Sequence, residues 1–503
     1  MKNWLLAGRT EKKLSKEALD FLVSDDIECD KLIVEEDVIG SEAHVLMLLD
    51  KGIISKNEAK KILQALEEVK KLYRKGRFIL KPELEDVHLN IEQFIIDKVG
   101  VEVGGKIHTG RSRNDQIILD LRLYLRKRVN NILSLLLKFI KILLDKAEKN
   151  LKTVLPAYTH LQHAQPTTLA HWLHAYAEML LRDYGRIREA YMRLLNLNPL
   201  GACAIAGTSW PIDRLKTANL LGFKDVQENS FDVVSSRGED AAELMFSLTL
   251  MLIHLSRFSS DIILWSTYEF RFAEINDSYA MVSSVMPQKK NPDVAELIRG
   301  KAASALSQLT CILELLRGLP SGYFKDLQES KISTLKVVED SLKVLRVITG
   351  LILTLKFDKN RMLKLTQENF STAVDLADMV AKKAGLPFRL AYRVVGTLVK
   401  NSLNEGKKPQ DITLEDLNKA SMKVLGRKLN LNEKEIKRVL NPLESIKLKA
   451  SLGSPNPREV LRMIKKSRIK LKMEEKSLKK EVKRLKMAEE KLQKLVSKVI
   501  MDK

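Results

Sequence analysis

The sequence predicts a mainly α protein that is organised around long helices. Glycine and proline are sparse, at 22 and 13 of 503 residues, and they cluster between long stretches of helical periodicity. Runs that alternate Val, Ile or Thr with polar residues, which would indicate strands, are scarce. Because the chain exceeds the usual ceiling for one hydrophobic core, we expect about two to four domains.

The longest helical pattern runs from Ile117 to about Leu151. Its apolar residues form a heptad seam that is interrupted only at Arg128 and is widened by neighbouring apolar positions. At about 1.5 Å per residue this helix spans roughly 50 Å, so it needs neighbours of similar length. Four further stretches qualify, at 168–196, 238–267, 292–317 and 327–355. Five such helices predict a bundle whose apolar faces exceed what one chain can cover, and therefore self-association.

Local signals mark the starts of two of these helices. Thr168 offers an N-cap, and Pro292 with Asp293 gives the fourth helix a proline and an acidic first turn. The chain then divides into four predicted parts: an N-terminal helical domain (1–112), the central bundle (113–365), a small C-terminal helical domain (366–465) and a basic amphipathic tail helix (466–503).

The tail helix differs in charge from the rest of the chain. From Lys465 onward it holds 15 Lys or Arg and 6 Asp or Glu, with apolar residues at roughly helical intervals. We expect a helix that is solvated or packs on its own chain. The alternative is a tail that binds nucleic acid or an anionic surface, but the segment lacks the aromatic residues that stack on bases.

Composition favours the cytoplasm and chemistry without a cofactor. Cys29, Cys203 and Cys311 are odd in number and widely separated, which argues against disulfides or a zinc site. The segment from Met1 to Thr10 has too brief an apolar patch for a signal peptide, and no run approaches the roughly 18 apolar residues of a membrane helix. Neither a glycine-rich nucleotide motif nor metal-ligand spacing occurs. Lys-rich, solubilising helices explain most of the +22 net charge, and part of it suits an acidic substrate.

The residues from Ser283 to Asp293 combine the groups needed to remove a proton from carbon beside a carboxylate. Such a proton is barely acidic, because its loss places a second negative charge on the group. Lys289 and Asn291 lie two positions apart and suit one anion. Ser283 or Ser284 suits the base, if neighbouring positive charge makes its hydroxyl basic. Taken alone, these residue types also describe an ordinary surface loop.

Four sequence blocks resemble the fumarase/aspartase superfamily, and in particular its argininosuccinate lyase family. They occur in matching order at 108–116 (HTGRSRNDQ), 158–166 (YTHLQHAQP), 283–293 (SSVMPQKKNPD) and 319–331 (LPSGYFKDLQESK). The resemblance extends to about Lys465. It implies a reversible, cofactor-free elimination of L-arginine from argininosuccinate that releases fumarate, the last step of arginine biosynthesis. It also implies a three-domain subunit, a homotetramer with a shared helical core, and active sites built from loops of three chains.

The resemblance assigns the base and the groups that stabilise the intermediate. It places the catalytic serine at Ser283 on the signature loop. Lys289 and Asn291 would bind the carboxylate beside the departing proton and stabilise its doubly charged form.

The proton donor is assigned in the same way. Thr159 and His160 would lie opposite the serine, with His160 donating a proton to the departing guanidino nitrogen, directly or through water. Glu296 matches the carboxylate that pairs with this histidine. The identity of the donor is less firmly implied than that of the base.

Substrate contacts follow from two of the blocks. Arg113 and Asn114 would hold the succinyl carboxylates, since arginine can grip a carboxylate with two donors. Tyr323, Gln328 and Lys331 match positions that bind the arginine half and its carboxylate.

His88 lies in a further segment that resembles the family near the substrate, and a helix-capping role for it is equally plausible from the sequence. The chain departs from the family at Asp26, which stands where a substrate-binding serine is usual, with Ser24 displaced by two positions. Val282 replaces a common glycine before the signature serines.

Two other functions stay open at this stage. One is a different fumarate-releasing lyase, such as an adenylosuccinate lyase, against which the block from Arg111 to Gln116 argues. The other is a non-catalytic homologue or scaffold, against which the retained Ser283, Lys289 and His160 argue.

Overall fold

The computed structural model describes residues 14–502, so the segment from Met1 to Thr10, where the sequence argues against a signal peptide, lies outside the described residues. The first ten α-helices are α1 Lys16–Asp30, α2 Val34–Asp50, α3 Lys56–Arg74, α4 Val87–Val99, α5 Val101–Gly104, α6 Arg113–Glu148, α7 Leu169–Arg193, α8 Arg214–Leu220, α9 Ser230–Ser235 and α10 Glu239–Ser266. The remaining ones are α11 Asp293–Gly318, α12 Gln328–Thr354, α13 Lys359–Gln367, α14 Ala373–Ala384, α15 Phe388–Asn404, α16 Leu414–Leu425, α17 Glu433–Leu440, α18 Pro442–Leu448 and α19 Pro457–Met501.

Short strands occur only in pairs within the described residues. They are β1 Val154–Thr159, β2 Gln162–Thr168, β3 Leu197–Asn198, β4 Asp225–Val226, β5 Ala273–Glu274, β6 Met281–Val282, β7 Lys290–Asn291 and β8 Lys356–Phe357. β1 pairs with β2, β5 with β8 and β6 with β7 in antiparallel fashion, whereas β3 and β4 are parallel. The mainly α prediction is confirmed.

The five predicted long helices are present as α6, α7, α10, α11 and α12, and they pack on one another in a bundle. The longest, α6, has 36 residues. The hydroxyl of Thr168 caps α7 by accepting the N–H of His171 at 3.1 Å. Pro292 immediately precedes α11, and Asp293 stands in its acidic first turn. Sequence periodicity and caps therefore located these helices to within a few residues.

The bundle leaves large apolar side chains exposed on three of its helices. Phe246 on α10, Leu297 and Leu306 on α11, and Leu353 on α12 are each more than half exposed. A stable soluble protein rarely leaves several such side chains uncovered on one group of helices, so this face is suited to contact with other protein.

Two hydrophobic cores are present. The larger one draws residues from Val23 to Val496, including the bundle. The smaller one lies between Leu376 and Leu440 and is built by α14 to α17 and the segments between them. This second core falls inside the predicted C-terminal domain at 366–465, although the four-part division of the chain stays a prediction.

The predicted tail is the distal part of α19, a continuous helix of 45 residues that runs through residue 465 without a break. It packs along α6, α3, α7, α2 and α8. Leu471, Leu478, Leu492 and Val496 are buried in the larger core. The tail therefore packs on its own chain through one face, while its lysines occupy the other.

Polar contacts also join α19 to the N-terminal helices. The amide of Gln493 donates to Glu42 at 2.8 Å. Glu42 also accepts from the buried Lys70 at 2.7 Å. α19 also packs closely on the turn after α8. Gly222 in that turn lies so near Ala488 of α19 that a Cβ added at Gly222 would be 2.9 Å from the Cβ of Ala488. The helix is thus fitted to the body at several separate points.

One helix passes a length and composition test for a membrane span. α10 has a window of mean hydropathy 1.3, of which 61% is buried inside the structure. Polar residues such as Ser247, Thr249 and His254 interrupt the helix, so it contains no run of about 18 apolar residues, as the sequence predicts. α10 is apolar on most of its sides because it is surrounded by α7, α11 and α12.

The buried face of α19 predicts a matched pair of stability effects. Leu492 is 1% exposed and Leu495 is 36% exposed. We expect Leu492→Ala to lower the free energy of unfolding by about 2–5 kcal/mol, because it removes buried contacts and leaves a cavity. Leu495→Ala should cost less than about 1 kcal/mol. Urea unfolding at fixed protein concentration measures both, and equal small effects would show that α19 does not contribute to the core.

Candidate active site

A cavity of about 320 Å³ lies between α1 and the starts of α4, α6, α10 and α12. Four cationic side chains and four carboxylates line it together with smaller polar groups. Six residues predicted to contact substrate are among its lining residues: His88, Arg113, Asn114, Tyr323, Gln328 and Lys331. The structure therefore brings together residues that are up to about 240 positions apart in the sequence.

The start of α6 is held by a capping box. The hydroxyl of Ser112 accepts the N–H of Asn114 at 3.3 Å, and the carboxylate of Asp115 accepts the N–H of Ser112 at 2.9 Å. Asp115 also accepts the N–H groups of Gly201 and Cys203 at 2.9 and 2.8 Å. Asp115 therefore positions the start of the helix. Arg113, next in the chain to this cap, is thereby directed to the cavity.

Arg113 enters the cavity already bound to carboxylates. Its Nη1 donates to Glu85 at 2.7 Å and to Asp86 at 2.9 Å. Burial disfavours the charge of Arg113, but the negative charges of Asp86 and Glu85 outweigh burial and raise its pKa. Asn114 beside it donates to the carbonyl of Ala204 at 3.0 Å. Arg113 is thus a fixed cation at the cavity wall.

Lys331 is buried between two carboxylates of α1. Its ammonium lies 2.6 Å from Asp26 and also bonds Asp30. Burial lowers the pKa of Lys331, but the charges of Asp30 and Asp26 have the larger combined effect and raise it. Gln328, one turn earlier on α12, donates to the carbonyl of Leu22 at 2.9 Å. Asp26, which stands where the family usually has a substrate-binding serine, therefore forms an ion pair with Lys331, a residue predicted to bind substrate.

His88 belongs to a buried network beneath the cavity. Its Nδ1 lies 2.6 Å from Asp37 and 3.5 Å from Asp120. Burial lowers the pKa of His88, but the hydrogen bond to Asp37 and the charges of nearby carboxylates raise it overall. Ser41 donates to Asp37 at 3.3 Å and accepts from Arg111 at 2.9 Å. These contacts favour the protonated form of the ring, and they place His88 in a buried network and not in a simple helix cap.

The same three groups resemble a metal site in spacing. Ligand-type atoms of Asp37, His88 and Asp120 lie within 4.8 Å of one another. The positive charge of Arg111 in the same network opposes a further cation. Burial and the charge of Asp37 raise the pKa of Asp120 well above its usual range, which favours a protonated carboxyl over a metal ligand there.

The signature loop connects β6 to β7. The N–H of Ser283 donates to the carbonyl of Lys289 at 3.1 Å. The hydroxyl oxygen of Ser283 accepts the N–H groups of Val285 and Met286 at 3.2 and 3.0 Å. These two donors point at the atom on which negative charge develops if the serine loses its proton, and they stabilise that charge. No comparable pair of donors reaches Ser284 in the described part of the chain.

The two lysines of the loop differ in their surroundings. Lys290 lies 2.6 Å from Asp277, and this contact lowers the pKa of Asp277 through a hydrogen bond and charge attraction. Lys289 is exposed, and no ion pair joins it to a carboxylate within residues 14–502. Lys289 thus keeps its charge available for an anion, whereas Lys290 is already paired with Asp277.

Thr159 and His160 lie at the tip of the β1–β2 hairpin. Thr159 pairs with Gln162, and His160 and Leu161 between them have positive φ angles of 55° and 56°. Such φ values are unusual for residues other than glycine and indicate a tight, specifically formed turn. His160 is exposed at this tip.

The predicted catalytic groups lie outside the cavity that holds the predicted substrate-binding residues. Ser283, Lys289, Thr159, His160 and Glu296 do not line the cavity. Across the described residues, no ion pair forms between His160 and Glu296, which is exposed in the first turn of α11. The expected pairing of these two groups is therefore absent from the single subunit, and each of them lies on an accessible surface.

Sequence reasoning missed Arg237 and the carboxylate partners of the cations. Glu85 and Asp86 stand beside His88, within a segment that the sequence had already marked. Asp30 lies one helical turn from Asp26 on α1. Arg237 stands outside all four blocks, immediately before the N-cap Gly238 of α10. Only its place just before a long helix was visible in the sequence.

Comparisons with known proteins agree along most of the chain. A family profile described as a lyase matches residues 14–306, and a profile described as argininosuccinate lyase C-terminal matches residues 370–447. An argininosuccinate lyase from Methanosphaera stadtmanae is 41% identical over 465 residues, which is 92% of this chain and 99% of the relative. One from Geobacillus thermodenitrificans is 44% identical over 456 residues, 91% of this chain and 96% of the relative.

Solved structures share the fold. The crystal structure of an EDDS lyase in complex with formate has a TM-score of 0.83 at 32% identity and covers 95% of this chain and 93% of its own. A class II fumarase from Schistosoma mansoni has a TM-score of 0.68 at 15% identity, with 82% and 90% covered, which is a likeness of fold alone. The long-helix bundle is thus that of fumarase/aspartase-superfamily lyases. Within that superfamily, the chain belongs to the argininosuccinate lyase family.

His44 on α2 anchors the segment that precedes α6. It is fully buried, and its Nε2 donates to the carbonyl of Thr109 at 2.9 Å, whereas its buried Nδ1 has no partner. Burial and the nearby charge of Arg111 lower the pKa of His44 to about 3. The ring is therefore neutral in the folded protein at ordinary pH.

This neutral ring predicts a loss of stability in mild acid. Below pH 6.5 the unfolded chain takes up a proton at His44 that the folded chain cannot, which costs the fold about 2 kcal/mol between pH 7 and pH 5. The stability advantage of the wild type over His44→Gln should therefore shrink by about that amount over this range. Urea unfolding of both proteins at the two pH values measures it, and a difference that is independent of pH would contradict a neutral buried ring.

Proposed function

We propose that the protein catalyses the reversible elimination of L-arginine from argininosuccinate with release of fumarate. Membership of the argininosuccinate lyase family supports this reaction. The observation that carries the proposal is the cavity, in which Arg113 and Asn114, assigned to the succinyl half, lie beside Tyr323, Gln328 and Lys331, assigned to the arginine half. One cavity thus holds contacts for both products.

Ser283 acts as the base in this proposal. Its oxygen, stabilised by the N–H groups of Val285 and Met286, takes the proton from the carbon beside a succinyl carboxylate. The electron pair left on that carbon moves into the carboxylate, which then carries two negative charges. The ammonium of Lys289 and the amide of Asn291 stabilise this intermediate.

Departure of arginine completes the reaction. The electron pair returns to form the carbon–carbon double bond of fumarate, and the bond from carbon to the guanidino nitrogen breaks. His160 gives a proton to that nitrogen, directly or through water, with Thr159 beside it. Glu296 pairs with His160 and favours its protonated form. No cofactor or metal takes part in these steps.

The working form in this proposal is a cytoplasmic homotetramer whose active sites are shared between subunits. The exposed apolar side chains on α10, α11 and α12 support association of the bundles. Ser283 is half-buried within an otherwise exposed loop and His160 is exposed, and their positions outside the cavity support their use in a neighbouring subunit's site. Nucleic-acid binding by the basic face of α19 is a lesser alternative, because α19 packs on its own chain through its other face.

The base assignment is tested by Ser283→Ala. Fumarate release from argininosuccinate, followed by its ultraviolet absorbance, should fall by several orders of magnitude, because the variant lacks the group that takes the proton. The matched control is Ser284→Ala, which should keep turnover within about tenfold of wild type. Circular dichroism should show both variants folded. Wild-type turnover of adenylosuccinate instead of argininosuccinate would reject the substrate, and an active Ser283→Ala enzyme would reject the base.

Shared active sites predict recovery of activity in mixed tetramers. If serine and histidine come from different subunits, a hybrid of Ser283→Ala and His160→Asn chains contains some sites that carry neither change. Co-expression with two affinity tags, followed by purification through both, should yield activity well above that of either variant alone. If mixed assemblies form but remain inactive, serine and histidine act within the same chain.

A further inference from the structure

The aromatic ring of Tyr279 lies directly on the backbone of α12 at Gly350. A Cβ added at Gly350 would overlap the hydroxyl oxygen of Tyr279 and would lie 2.5 Å from the ring carbon that carries this oxygen. Gly350 lies inside α12, and its φ angle is not in the left-handed region. The backbone therefore does not require glycine at this position, whereas the close approach of the ring does.

Tyr279 ends a short turn that precedes the signature loop. This turn, Asp277–Tyr279, is a single turn of 3-10 helix that begins after Asn276. β6 begins two residues after Tyr279, at Met281. We call residues 276–279 the anchor turn, because both arms of the signature loop meet it.

The entry arm, β6, follows the anchor turn closely, and the exit arm is attached to the turn through an ion pair. Lys290 of β7 lies 2.6 Å from Asp277. β6 and β7 have two residues each, and from Met281 to Lys290 every residue is exposed except Ser283, which is half-buried. Because burial does not hold these residues, the placement of the loop depends on its two arms and on the turn to which they attach.

The segment before the anchor turn is attached to the same end of α12. β5 pairs with β8, which begins two residues after Thr354, the last residue of that helix. Tyr279 adds a contact on the helix itself, about one turn before its end. Contacts at two separate points fix the orientation of the anchor turn, whereas strand pairing alone would let it pivot.

We propose that Tyr279, seated on Gly350, is a positioning residue that holds the signature loop where Ser283 and Lys289 can act. This inference rests on the proposed function, in which those two residues remove the proton and stabilise the intermediate. Tyr279 does not line the substrate cavity, and it acts only through the loop. Since a misplacement of about 1 Å in an active site can cost about 100-fold in rate, an exposed loop depends on a firmly held base.

The first test is Gly350→Ala, which places a methyl group where the ring now lies. We expect kcat for argininosuccinate to fall about 10- to 100-fold while KM changes less than about threefold, because the residues assigned to substrate binding line a separate cavity. The matched control is Gly396→Ala within α15, where an added Cβ would meet open space. This control should keep the wild-type kcat and KM.

Substitutions of the tyrosine test the ring itself. Tyr279→Phe keeps the ring on Gly350 and should keep kcat within about fivefold of wild type. Tyr279→Leu loses the ring and should lower kcat about as far as Gly350→Ala does. In the double variant that combines Tyr279→Leu with Gly350→Ala, the two losses should not add, because the methyl group of the alanine no longer meets a ring.

Hydrogen exchange of the intact proteins, followed by mass spectrometry, tests the anchor turn without turnover. The N–H of Ser283 donates to the carbonyl of Lys289 at 3.1 Å, so its exchange reports on the loop. We expect peptides that cover 276–292 to exchange faster in Gly350→Ala and Tyr279→Leu, and at the wild-type rate in the control. Absence of fumarate release by wild type would reject the proposed function, whereas the exchange rates would still decide whether the tyrosine holds the loop.

A folded Gly350→Ala enzyme with wild-type kcat and wild-type exchange would overturn the inference, because the ring could then move aside without effect on the loop. Faster exchange spread evenly over the bundle would also overturn it, since the contact would then stabilise the fold as a whole. If Gly350→Ala loses its helical circular dichroism signal or its assembly, the tyrosine variants decide. Wild-type kcat and exchange in both Tyr279→Phe and Tyr279→Leu would overturn the inference, and a loss confined to Tyr279→Leu would support it.

Discussion

A single buried carboxylate, that of Asp115, holds together the segments on which the cavity depends. It accepts three backbone N–H groups, from Ser112 at the start of α6 and from Gly201 and Cys203 in a distant loop. Burial raises its pKa to about 6, so these bonds are made to a charged acceptor at neutral pH. Because α6 runs the length of the bundle, its anchored first turn sets both the position of Arg113 and the register of the helices that pack on α6.

The cavity next to this scaffold is lined by cations that are already paired with carboxylates. Placing Arg113 or Lys331 in a buried position without carboxylates would lower the pKa of each and favour loss or displacement of the charge. Their carboxylate partners prevent this, and they also leave groups of both signs facing the cavity. A ligand that carries carboxylates and a guanidinium is complementary to such a lining.

Much of the fold was predictable because helices with a buried face place apolar residues at regular intervals in the sequence. Pairs of oppositely charged residues that meet in space produce no such pattern. The apolar period and the caps at Thr168 and Pro292 located the bundle helices. The contact between Asp26 and Lys331 joins residues 305 positions apart and follows only from the packing of α1 on α12. The boundary at residue 465 was drawn from composition, and it falls inside α19 because the helix contains no glycine, and no proline after its first residue, to interrupt it.

The positions of the catalytic side chains link the chemistry to assembly. Removing a proton from carbon beside a carboxylate requires the base, the stabilising cation and the proton donor to surround one substrate in a site from which water is excluded. Within one chain, Ser283, Lys289 and His160 lie on accessible loops outside the cavity that holds the binding residues. The same chain exposes apolar side chains on the helices next to those loops. Association through these helices would cover the apolar face and bring loops of one subunit to the cavity of another, so we infer that burial of the bundle face and completion of the active site are one event.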